Sequence, residues 1–70
     1  MHQYHMITQI VYDELQYPHE VFGIAARDGS LYMDDIFFKR DEAQHFVDIC
    51  NSEHLSSAHV LECIQDIVSQ

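Results

Sequence analysis

Two hydrophobic rhythms divide the chain. Up to about residue 38 the β-forming residues gather in runs, and beyond residue 40 apolar positions recur every three or four residues. Ile7 to Leu15 holds Ile7, Thr8, Ile10, Val11 and Tyr12 and predicts a first strand, although its imperfect alternation does not choose an inward face. Glu20 to Arg27 predicts a second. Its apolar residues occupy both parities, Phe22, Ile24 and Ala26 against Val21 and Ala25, as a central strand with both faces at least partly covered requires. Leu31 to Phe38 predicts a third. Met1 to His5 reads as a frayed start. Tyr17-Pro18-His19-Glu20 reads as a turn, and Asp28-Gly29 as a two-residue type I′ hairpin.

In the second half, Ala43, Phe46, Val47 and Cys50 stand at i, i+3, i+4 and i+7, on one face of a helix. Asp41 is the expected N-cap, Gln44 completes a capping box, and Asn51 is suited to a left-handed helix end. Ser56 is the expected N-cap of a second helix, with Leu55 as staple. Val60, Ile64, Ile67 and Val68 share its inner face, with Leu61 beside them. These elements predict a single α+β domain over residues 1–70, a three-stranded antiparallel meander followed by two helices packed on one face (β-β-β-α-α).

Size and composition sharpen this reading. Seventy residues, 47% of them hydrophobic, suffice for one small core. Such a core supplies no more than about 3–5 kcal/mol net, so association is an obvious route to further stability. No apolar run approaches a membrane span and no secretory leader pattern is present; Cys50 and Cys63 read as reduced core thiols. A cytoplasmic protein is the expectation.

Charge excludes one class of function. Twelve acids against three bases give a formal net charge of −9. Direct nucleic-acid binding needs Lys and Arg to displace counterions from phosphates, so it is not expected. The surplus either keeps a small protein soluble or offers a surface to a basic protein partner.

Candidate chemistry is sparse. Asp34 and Asp35 are adjacent on a strand, so they point to opposite faces and do not converge on one substrate. Asp41 and Glu42 complement the positive end of a helix. His59 and Cys63 lie one helical turn apart with Asp66 beyond, but a structural zinc site needs four closed ligands and no Cys-x-x-Cys is present. His2 stands one place short of the amino-terminal copper motif. Gly23 and Gly29 are the only glycines, too few for a phosphate-cradling loop. No metal or cofactor is therefore expected, and no catalytic residue. Tyr32, Met33, Phe37 and Phe38 make the third strand aromatic-rich, half of it expected in the core and half exposed beside an acid.

Phe22-Gly23-Ile24, Asp35-Ile36, Cys50-Asn51, Leu55 to Val60 and Asp66-Ile67 together resemble a family of short acidic Firmicutes proteins described only as a domain of unknown function. The resemblance covers roughly Val21 to Val68 and departs at Ser57, where that pattern has proline. It implies a fold and a bacterial source, and no mechanism. A small acidic sheet followed by helices is also similar in architecture, though in no motif, to several phage anti-CRISPR proteins, some of which occupy the nucleic-acid groove of their target.

The function expected from these features is non-enzymatic. It is binding of a protein partner with a basic surface, most concretely by an inhibitor that mimics nucleic acid. Asp13, Glu14, Asp28, Asp34 and Asp35 are the candidate contacts. The alternative is a bacterial regulatory adaptor or homodimer, in which acidity serves solubility only.

Overall fold

The computed structural model describes residues 3–69. Its elements are β1 (Tyr4–Tyr12), β2 (Pro18–Ala26), β3 (Tyr32–Phe37), α1 (Arg40–Ser52) and α2 (Ser57–Val68). The sheet is antiparallel in the order β1-β2-β3, so the strand with apolar residues on both parities is the central one. Val21 through Ala26 are all buried. The predicted β-β-β-α-α architecture is the observed one.

Both helices cover one sheet face. Pairing of Tyr4 with Ala26 and Met6 with Ile24 puts these four side chains on a common face. There Tyr4, Ile24, Ala26 and Leu31 pack with Val47 and Cys50 of α1 and Val60 and Ile64 of α2. Tyr4 ties the layers together. Its hydroxyl donates to the Leu55 carbonyl (2.6 Å) between the helices, and its backbone exchanges two hydrogen bonds with the Asn51 side chain (2.9 and 3.0 Å).

Local boundaries differ from the sequence reading for identifiable reasons. β1 starts at Tyr4 rather than Ile7 because those Tyr4 contacts hold it; the frayed start therefore fails at Tyr4 and His5, while Met1 and His2 lie outside the described residues. Pro18 opens β2 instead of sitting in the turn, a strand-start position that needs no N–H. The preceding turn is Asp13 to Tyr17, with Gln16 at φ 66°. The β2–β3 turn is in the predicted place but is not type I′. Only Gly29 has a positive φ (81°), and its N–H bonds Ala26 O (3.1 Å), so Arg27 and Asp28 are the central residues.

Lys39, not Asp41, is the N-cap of α1, without a side-chain cap bond, and Gln44 bonds Asp48 (2.8 Å) rather than closing a capping box. Asn51 remains helical. The left-handed residue is His54 (φ 51°), and bonds from His54 N to Asn51 O and Leu55 N to Cys50 O complete a Schellman motif. Ser56 caps α2 as expected, accepting from His59 N (3.2 Å). Phe46 is only half-buried against Phe37 (centroids 5.6 Å apart), Cys63 is half-buried rather than core, and Leu61 and Val68 are exposed.

β3 is the irregular strand. Phe22 pairs with Phe37 and Ile24 with Met33, so only Gly23 of β2 stands against Asp34, Asp35 and Ile36. The bulging backbone lies directly on Gly23, where a Cβ would sit 1.9 Å from Met33 O and 2.7 Å from Asp34 Cα. Gly23 is therefore there for close backbone approach.

Candidate functional site

The five candidate acids do not share a site. Asp13 and Glu14 lie at the β1–β2 tip and Asp28 at the opposite end of β2, a nine-residue strand spanning about 30 Å. Asp34 and Asp35 lie on the bulge of β3, Asp34 half-buried and Asp35 exposed.

Two of the five have structural work. Asp13 Oδ1 accepts from the Leu15 and Tyr17 N–H groups (2.9 Å each), and Oδ2 meets His19 Nε2 at 2.9 Å. These hydrogen bonds, the His19 contact foremost, hold its carboxyl below the usual carboxylate range. Asp28 Oδ1 accepts from Ser30 N (2.9 Å) and Ser30 Oγ (2.6 Å), which lowers its pKa likewise. Ser30 Oγ also meets Ser57 Oγ, so this turn is anchored to the start of α2. Glu14, Asp34 and Asp35 have no hydrogen-bond or ion-pair partner among the described residues.

Among those residues no three of His, Cys, Asp and Glu stand close enough together to hold a metal ion. Cys50 is fully buried, and burial, with Cys63 as a further influence, pushes its thiol up to about 11, away from a reactive thiolate. No described helix is long and apolar enough to cross a membrane.

The sequence reading missed the most distinctive surface. β3 pairs with β2 only from Phe22 to Ala25, so beyond that point β1 and β2 project as a two-stranded arm. The molecule is accordingly elongated, 40 × 26 × 21 Å. Ile10 (49% exposed), Tyr12 (64%), Leu15 (76%) and Tyr17 (62%) lie on the arm without a core to enter. Where α1 crosses β1, a depression of about 330 Å³ is lined by Tyr4, His5 and Met6 of β1, Gln44, Val47, Asp48 and Asn51 of α1, and Arg27. Tyr4-His-Met-Ile-Thr-Gln-Ile-Val-Tyr12 contains no Asp, Glu, Lys or Arg, a signal that was available in the sequence.

None of the family models, curated proteins or solved structures compared with this chain matches it.

Proposed function

We propose that the chain is a non-enzymatic, acidic protein-binding module acting in the cytoplasm. It presents carboxylates to a basic surface of a partner protein, most concretely the nucleic-acid-binding groove of a protein it inhibits. The observation that carries this reading is the state of the acids. Among the described residues the one contact between a carboxylate and a basic side chain is that of Asp13 with His19, and Arg27, Lys39 and Arg40 neutralise no carboxylate. Arg40 instead sits over the Phe22 ring, 5.4 Å from its centroid. The −9 surface is thus almost uncompensated from within, and external cations are its natural counterpart.

Asp34 and Asp35 are the primary contacts and Glu14 an auxiliary one, since Asp13 and Asp28 are committed to their turns. The test is affinity capture from the native cells at low and at about 0.5 M salt, with parent and Asp34→Asn/Asp35→Asn baits. The expected prey binds nucleic acid, is released by salt and by competing nucleic acid, and is retained less by the double variant. Capture indifferent to salt, competitor and both substitutions would remove the electrostatic basis of the reading.

A further inference from the structure

We propose that two copies of this chain join along β1, antiparallel and edge to edge, into one six-stranded sheet. This goes beyond the partner-binding reading, whose primary contacts, Asp34 and Asp35, lie on the opposite edge of the sheet.

Hydrogen-bond direction defines the seam. In an antiparallel strand the backbone groups of successive residues point alternately toward and away from the paired neighbour. The Gln3 carbonyl accepts from Arg27 N–H (2.8 Å), toward β2, whereas both backbone groups of Tyr4 are taken by Asn51 on the other side. Tyr4, Met6, Thr8, Ile10 and Tyr12 therefore present their N–H and C=O outward. Asn51 closes the Tyr4 end. No described residue bonds the outward backbone groups of the other four.

One two-fold register uses all four. Placing Gln9 opposite Gln9 of the second copy pairs Met6 with Tyr12 and Thr8 with Ile10, and the symmetry repeats both pairs. Each pair exchanges two backbone hydrogen bonds. On the sheet face away from the helices, Ile7 then meets Val11 of the second copy. No Asp, Glu, Lys or Arg occurs from Tyr4 to Tyr12, and the Met6–Tyr12, Thr8–Ile10 and Ile7–Val11 pairings bring no like charges together despite the −9 total.

The same register matches covered to uncovered halves. Beside Met6 the edge lies under α1 and carries the depression; at Ile10 and Tyr12 the helix face is bare. Tyr12 of the second copy, opposite Met6, enters that depression, whose lining includes the polar side chains of Gln44 and Asp48. The same register sets Asp13 of the second copy opposite His5.

The test is sedimentation equilibrium of the purified chain from about 1 μM to 1 mM, with amide exchange at both extremes. The expected result is a closed monomer–dimer equilibrium, with protection of the Met6, Thr8, Ile10 and Tyr12 amides increasing with dimer population. Tyr12→Ala empties two depressions per dimer and weakens dimerisation about a hundredfold. Gln9→Lys sets two cations together on the axis and weakens it roughly fivefold, although it moves the net charge of each chain from −9 to −8 and so eases general repulsion. Phe38→Ala, on an exposed ring at the far edge, leaves it unchanged. Each substituted side chain is exposed in the monomer, and circular dichroism verifies folding. A monomer throughout the range overturns the proposal. So does open-ended association, or a dimer weakened by Phe38→Ala but not by Tyr12→Ala and Gln9→Lys.

Discussion

The two edges of the sheet are built on opposite principles. β3 is six residues long, bulged over Gly23, marked by Asp34 and Asp35, and followed by Lys39-Arg40. Short length, bulges and charges are the means by which proteins prevent an edge from recruiting another strand. β1 has none of them. It is nine residues long, uncharged and free of Pro and Gly, and only its first residue is capped, by Asn51. In one small sheet the contrast assigns different work to the edges. The blunted side offers acids to solvent, and the open side offers backbone.

The largest test of the contrast is Gly23→Ala. A Cβ at this position collides with the Met33–Asp34 backbone, which cannot retreat without breaking the β3 pairing. A loss of about 3 kcal/mol or more is expected, comparable to the whole stability of a domain this size. Urea denaturation should show little cooperatively folded protein; a normal transition would mean that the bulge does not rest on Gly23.

Asn51→Ala acts on the other edge. It removes both hydrogen bonds to the Tyr4 backbone, beside the buried Tyr4 side chain, and should cost about 1–3 kcal/mol. Exchange of the Tyr4 amide should accelerate more than that of Phe22 or Ile24 in the central strand. Equal acceleration everywhere would mean that Asn51 supports the core in general and not the strand end.

Acid has the smallest and most local effect. Asp13 and Asp28 have folded pKa values below the ordinary 3.8, so their contribution is complete above the unfolded value and is lost as pH falls through the folded ones. Between pH 5 and pH 2.5, amide exchange, corrected for its intrinsic pH dependence, should accelerate first at Leu15, Tyr17 and Ser30. Asp13→Asn/Asp28→Asn, which keeps a side-chain oxygen acceptor in each turn, should flatten that local change. No selective loss at these amides would separate the turns from their carboxylates.

How much was legible depends on the range of the interactions. Apolar spacing carried the central strand, both helices and the buried faces of Ala43, Val47, Cys50, Val60 and Ile64, because periodicity follows directly from backbone geometry. The Ser56 cap was readable for the same reason, being a contact between near neighbours. The start of α1 was misplaced because local capping chemistry favoured Asp41, whereas the observed cap, Lys39, uses no side-chain bond. The acids were visible as a surplus but not as a site, since their separation depends on the length of β2 and on which of them the turns engage.

The sequence by itself determined the order of the elements, the central place of β2 and the sign of the surface, all consequences of short-range pattern and composition. Only the tertiary structure decided that Asn51 would cap a strand rather than end a helix, and that Gly23 would lie beneath a bulge rather than merely interrupt a strand. It also decided that β1 would be left open beyond Tyr4. Each of these depends on a backbone brought alongside from a distant part of the chain, 47 residues away for Tyr4 and Asn51, and no local periodicity encodes that approach.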